Sequence, residues 1–229
     1  MKRLVLSFLI VFSVLFVISC DTDDTSAMPD GFGYVHDAIP EVEYDIRYYT
    51  HDNFVGAPVD GYNAPVAILT DEALDALVNV ADDLEEQGYG MIVFDGYRPQ
   101  KAVDHFVRWA QDPADTLTKH KYYPDVDKAD LFDLGYIAEQ SSHTRGSTVD
   151  LTLTYLDTGE EVDMGSGFDF FGPISHHGTD LINEEQEANR ITLKETMQRH
   201  GFLMYPYEWW HYTLDNEPYP DTYFDFDVE

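Results

Sequence analysis

Apolar positions recur along the chain at two spacings, and these divide it into elements. Leu74, Leu77, Ala81 and Leu84 fall three and four apart, which predicts an amphipathic helix. Thr70 stands where it can cap that helix, Asp71 and Glu72 load its first turn with negative charge, and Gly88 can end it. Residues 91–94 form a short unbroken apolar run, the pattern of a buried strand. Pro99 then opens a second helix at its first position, with Ala102, Phe106 and Trp109 on the inner face. Over residues 147–153 the period drops to two. Val149, Leu151 and Leu153 share one face of a strand, and Asp150 and Thr152 share the other. Asn183-Glu184-Glu185-Gln186 has the order of a helix start, and Arg199, His200 and Gly201 suit its end. Residues 202–205 and 210–214 read as closing strands and 44–49 as an early one. Asp157-Thr158-Gly159 reads as the turn of a hairpin. Residues 111–135 are polar with two prolines and read as loops around a short helix. No internal repeat and no glycine-rich phosphate loop interrupts this order. The expected fold is α+β: one domain with a small, mostly antiparallel sheet flanked by two or three helices.

The first twenty residues follow another pattern. Lys2 and Arg3 precede an apolar run over residues 4–18, too short for a comfortable membrane span and suited to the core of an export signal. The run ends in Val17-Ile18-Ser19-Cys20, which resembles the bacterial lipoprotein signal with cleavage before the cysteine. Residues 1–19 are therefore expected to be removed and Cys20 to carry lipid. Residues 20–35 would form a flexible tether, and 36–229 the folded domain. Cys20 is the only cysteine, so no intramolecular disulfide is possible. The expected location is that of an exported bacterial lipoprotein, anchored through the lipid alone and facing the periplasm or cell exterior.

Charge narrows the choice of partners. With 44 acidic against 13 basic residues the net charge is −31, which disfavours nucleic acid and direct adhesion to anionic lipid. Adaptation to high salt, where screening removes the self-repulsion, accounts for so acidic a surface better than ordinary export does. No protein partner is inferred.

The candidate chemistry lies in two stretches, Ser141-Ser142-His143-Thr144-Arg145-Gly146-Ser147-Thr148-Val149-Asp150 and Glu208-Trp209-Trp210-His211. Catalytic zinc sites use three protein ligands of nitrogen and oxygen type and keep a fourth position for water. His143, Asp150 and His211 supply such a set for one Zn2+ per chain, and Glu208 is left over as a base. Either half alone is weak, because a histidine seven residues before an acid arises cheaply here. The strand under Asp150, the turn at Gly146 and the dry wall offered by Trp209 and Trp210 strengthen the pair. Ser175-His176-His177 is a rival cluster, but adjacent histidines on an extended chain point apart; these two are read as structural or supporting.

Those stretches resemble the D-alanyl-D-alanine dipeptidases, the VanX-type zinc metallopeptidases. Matching pieces are Ser-Ser-His-x-Arg-Gly-Ser-x-x-Asp-Leu-Thr-Leu at 141–153, Glu-Trp-Trp-His-Tyr at 208–212 and Asp-Gly-Tyr-Arg-Pro at 95–99. Asp52-Asn53-Phe54, Val59-Asp60-Gly61-Tyr62, Met164-Gly165-Ser166 with Phe168-Asp169, and the tail from Glu217 to Phe226 also fit. The likeness runs in order from about residue 36 onward.

The resemblance implies zinc-dependent hydrolysis of D-Ala-D-Ala, with Glu208 as the base. By itself, Arg98 sits where a strand turns into a helix, and in so acidic a chain it would pair with a carboxylate by default. The resemblance implies that it polarises the scissile carbonyl and stabilises the transition state. It further implies that Asp169 binds the substrate's α-ammonium, and that Tyr48, Tyr62 and Ser141 contact a small dipeptide. Other readings stay open at this point: a zinc D,D-carboxypeptidase acting on longer peptidoglycan stems, a non-catalytic wall-binding lipoprotein with a structural zinc, and a dipeptide sensor.

Overall fold

The computed structural model describes residues 27–229; the expected signal, Cys20 and the start of the tether lie outside them. Among the described residues no helix is long and apolar enough to cross a membrane. The strands are β1 (Phe32–Tyr34), β2 (Glu43–Tyr44), β3 (Ile68–Thr70), β4 (Tyr89–Asp95), β5 (Thr148–Tyr155), β6 (Phe202–Met204) and β7 (His211–Leu214). The helices are α1 (Val35–Ala38), α2 (Asp71–Glu86), α3 (Gln100–Ala110), α4 (Lys119–Tyr122) and α5 (Glu184–Arg199). Five strands form one sheet in the order β2-β4-β5-β7-β6, and β1 pairs with β3 in a second, two-stranded sheet. Among the described strand pairs only β2–β4 is parallel. The architecture is the expected α+β, mostly antiparallel sheet flanked by helices.

Period-two burial explains β5. Val149, Leu151 and Leu153 are fully buried, the last two in register with Val93 and Met91 of β4, and Leu77 and Leu84 of α2 with Leu193 and Met197 of α5 belong to the same core. The polar row of β5 is buried too, under an aromatic layer. Phe106 lies 5.1 Å from Tyr48 and 4.7 Å from Phe54, and Phe168 stands 6.0 Å from Tyr48. Dispersion and desolvation of these rings hold the layer to the sheet.

One irregularity in the ladder matters for the site. Val93 pairs with Leu151, but the next pair is Asp95 with Asp150, so Phe94 is an extra residue. This bulge moves the side chain of Asp95 from the face of Val93 to the face of Asp150. Across the next ladder Asp150 pairs with His211. Asp95, Asp150 and His211 thus stand in one row across three neighbouring strands.

Several local expectations shift. Residues 44–49 are not a continuous strand: Glu43–Tyr44 pairs with β4, and Arg47–Tyr49 turns into a 3-10 helix. The turn seats the Arg47 guanidinium over Phe94 and Phe168. Behind it, buried Asn53 ties the loop by donating to the carbonyls of Arg47, Thr50 and Ala57 and accepting from the amides of Val55 and Gly56. Pro99 is the residue before α3 rather than its first. Thr70 precedes α2 as expected, but its hydroxyl bonds Ser147 Oγ instead of capping. The hairpin around residue 158 reduces to one bridge, Thr154 with Glu161. The Asn183–Gln186 capping box is present, and Gly201 follows α5 with φ 88°. The domain boundary expected at residue 36 is too late. Phe32 pairs with Thr70 and packs within 5.9 Å of Tyr97, Tyr219, Phe224 and Phe226, so the fold begins at or before it.

Candidate active site

Two turns deliver the histidines. Ser142–Arg145 is a 3-10 turn whose preceding residue, Ser141, accepts a hydrogen bond from the His143 amide. Gly146 ends the turn at φ 86°, where a Cβ would stand 2.2 Å from the Phe32 ring, so only glycine fits. The second turn runs from β6 to β7. The Glu208 amide donates to the Tyr205 carbonyl and the His211 amide to that of Glu208, while Trp209 and Trp210 are buried beneath. Glu208 and His211 therefore face the same cavity.

The cavity measures about 350 Å³ and is bordered by His143, Asp150, His211, Glu208, Arg98 and Asp169, with Tyr48, Ser141, Tyr136 and Tyr205 among its walls. His143 Nε2 lies 3.2 Å from Asp150 Oδ2 and 3.2 Å from His211 Nδ1, and His211 Nδ1 lies 3.2 Å from Asp150 Oδ1. Bonds of 2.0–2.1 Å in tetrahedral array space their donors by roughly 3.4 Å, and the three residues converge at about that spacing, each imidazole against a different Asp150 oxygen, as a zinc site needs. Asp150 Oδ1 is buried and, despite the nearby imidazole, receives no hydrogen bond of acceptable direction. An orphaned buried acceptor is what a cation would satisfy. The far ring nitrogens are held: His143 Nδ1 sits 2.7 Å from the Gly96 carbonyl and His211 Nε2 3.2 Å from Ser142 Oγ. Such outer bonds fix ring orientation and tautomer.

Electrostatics suit the roles of Asp150, His143 and Glu208, while His211 is raised, its burial being outweighed by Asp150 and Glu208. Burial alone would raise Asp150, but His143 and His211 hold it well below the usual carboxylate range. Burial lowers His143, favouring the neutral imidazole that a ligand needs. Glu208 Oε2 is 3.5 Å from His211 Nδ1. Burial pushes its carboxyl up to about 7, against the pull of His211 and Arg98 and with help from Asp150. That is the range in which a carboxyl both takes and returns a proton.

Arg98 lies three residues past β4, against the neighbouring rings of Tyr48 and Phe106 at 5.0 and 5.3 Å. Its Nε and Nη2 reach Asp95 Oδ2 at 2.9 Å, and Nη2 reaches Asp150 Oδ2 at 3.4 Å. Asp169 is buried, accepts a 2.8 Å bond from the Tyr48 hydroxyl, and has φ 61°, the sole non-glycine residue at positive φ among those described. Such strain is kept where surroundings enforce it, often at working sites. Burial pushes Asp169 well above its ordinary value, with Asp150 and Glu208 adding to it and Arg98 and Tyr48 opposing. An arriving ammonium would relieve that unfavourable charge.

The structure thus gathers eight of the nine expected residues that lie within the described part. Tyr62 is the exception: it stands behind Tyr48, rings 5.4 Å apart, with its hydroxyl on Asp95 rather than in the cavity. His176 and His177 stay apart, against Tyr207 and Tyr212. The sequence reading missed Asp95 and Ser142 as individuals, although both sit inside stretches it had singled out.

Comparison with known proteins agrees with this geometry. The sequence profile of the D-ala-D-ala dipeptidase family matches residues 28–229. A D-alanyl-D-alanine dipeptidase from Enterococcus faecalis is 50% identical over 88% of this chain and 100% of its own length. Those from Streptomyces coelicolor and Enterococcus faecium are 47% and 46% identical over the same shares.

Proposed function

Because the chain belongs to the D-Ala-D-Ala dipeptidase family, we propose that it hydrolyses D-Ala-D-Ala to two D-alanines, with one zinc ion held by His143, Asp150 and His211. The observation that carries the reading is one cavity holding that donor triangle, a spare Glu208 and a buried Asp169. A structural zinc is normally closed by a fourth protein ligand, whereas three candidate groups converge here.

Zinc, when bound, supplies a Lewis acid for the scissile carbonyl and acidifies water. Glu208 takes the proton of the attacking water and returns it to the leaving amine. Arg98, locked at one edge by Asp95, offers its charge to the oxyanion that forms at the carbonyl. Asp169, aimed by Tyr48, pairs with the α-ammonium one residue before the scissile bond, and Ser141 helps close the small pocket. Trp209, Trp210 and the aromatic layer keep bulk water from these charges.

Substrate length tests this reading. An N-acetylated dipeptide or a longer stem brings no charge to Asp169 and leaves it desolvated without a partner. The expected result is turnover of D-Ala-D-Ala with kcat/KM higher than for N-acetyl-D-Ala-D-Ala by roughly 10²-fold or more. Asp169→Asn should narrow that gap by hurting the free dipeptide most. Comparable values for the two substrates would transfer the assignment to a D,D-carboxypeptidase.

We also propose that the domain is exported and tethered by lipid on Cys20, on the strength of the basic, apolar and cysteine order of residues 2–20. Cys20→Ser should move the protein from the membrane to the soluble fraction of cells, since an acidic domain has no affinity of its own for anionic lipid. Retention in the membrane fraction would make residues 4–18 an uncleaved anchor.

A further inference from the structure

We propose that Tyr62 and Asp95 are positioning residues for the hydrolysis: they form a buried clamp that holds Arg98 against the cavity and away from the ligand Asp150. The inference deepens the function proposed above and rests on Arg98 serving the transition state.

Asp95 reaches this place only through the bulge at Phe94, and it is 1% exposed. Its two oxygens divide the work. Oδ2 takes Nε and Nη2 of Arg98, both at 2.9 Å, and Oδ1 accepts the Tyr62 hydroxyl at 2.6 Å. A carboxylate bonded on one oxygen alone is free to turn about its axis; bonded on both it is fixed. Fixing it matters because Arg98 has a second carboxylate within reach, Asp150 Oδ2 at 3.4 Å. Arg98 drawn fully onto Asp150 would compete with the metal for that ligand and leave the carbonyl unattended. The Tyr48 and Phe106 rings, in contact with each other, close one side of the guanidinium at 5.0 and 5.3 Å, so the choice left to it is between the two acids.

Tyr62 is itself mounted rigidly. It is 5% exposed and bridges Val228, whose carbonyl accepts the amides of Asn63 and Ala64 at 2.7 and 3.0 Å. The phenol therefore approaches Asp95 from a fixed direction. Asp95 Oδ2 also lies 3.6 Å from His143 Nδ1, but that nitrogen is already engaged by the Gly96 carbonyl at 2.7 Å, so the clamp serves the arginine first.

The test is a double-mutant cycle in the zinc-loaded enzyme, with Tyr62→Phe, Arg98→Ala and the double variant, each assayed for zinc content, kcat and KM on D-Ala-D-Ala. Tyr62→Phe should retain zinc, lower kcat about 5- to 50-fold and change KM by less than about threefold. In the Arg98→Ala background the same change should cost less than about twofold, because its effect passes through the arginine. Affinity for a phosphinate analogue, tetrahedral at the scissile position, should fall in step with kcat/KM for Tyr62→Phe. Equal losses in both backgrounds, or a rise in KM with kcat unchanged, would overturn the clamp and return Tyr62 to direct substrate contact. Asp95→Asn serves in the same cycle if Tyr62→Phe fails to fold. An inactive wild-type enzyme would instead count against the proposed function, and the cycle is then read from phosphinate binding alone.

Discussion

Glu208→Ala is expected to keep its zinc and lose turnover. The side chain lies 3.5 Å from His211 Nδ1, outside the convergent donor set of His143, Asp150 and His211 and near enough to meet a water held beside it. Removing a general base costs on the order of 10²–10⁴ in kcat, so the variant should retain about one equivalent of zinc while kcat falls by that factor. Wild-type kcat/KM should decline as pH falls through the Glu208 pKa. That value stands at about 7 for the carboxyl in its buried setting, and a neighbouring cation draws it lower. The sign follows from the role: the base must be ionised to act, so protonation silences it. Glu208→Ala should lose this acid limb. A variant with near-normal turnover, or one that loses its zinc, would remove Glu208 from the role.

The second large effect belongs to the metal ligands. His143→Ala and His211→Ala should each drop bound zinc from about one equivalent per chain to a small fraction, with activity following. Each change deletes one of two imidazoles that stand 3.2 Å from each other and 3.2 Å from different oxygens of Asp150, and leaves Asp150 buried with a single imidazole beside it. Elemental analysis after dialysis reads the outcome directly. Unchanged zinc in both variants would refute the ligand assignment, whatever happened to the rate.

Which parts of this were legible beforehand follows from the range of the forces involved. Helix α2 and strand β5 were plain because burial writes its period into consecutive residues: Leu77 and Leu84, or Val149, Leu151 and Leu153, are each dictated by one flat neighbouring surface. The ligand set was legible because the chemistry of zinc restricts residue types. The turn at Arg47–Tyr49 was not, since Tyr44, Ile46 and Tyr48 alternate as a strand would. What overrides that alternation is the polar wiring of Asn53, made with residues up to six positions away and invisible to periodicity. The bulge at Phe94 had no signal either. Nothing in Val93-Phe94-Asp95 marks an extra residue; it is the pairing with β5 that requires it. Tyr62 was misplaced for a related reason: a resemblance transfers the residue but not the direction in which its hydroxyl points.

The C-terminal segment carries a consequence for how the molecule is made. The Phe224 amide donates to the Thr144 carbonyl, the Phe226 carbonyl accepts from the Tyr97 hydroxyl, and Val228 fastens residues 61–64. Three segments beside the cavity are thus tied by a stretch that is synthesised after them. At roughly 5–20 residues per second, Tyr62 waits on the order of 10–30 s for its partner at position 228. Contacts so distant along the chain also close slowly once present. During synthesis the helices can form, but the donor triangle cannot settle before His211 exists, nor the clamp around Arg98 before Val228 does. Metal loading is then a late event in the life of the chain.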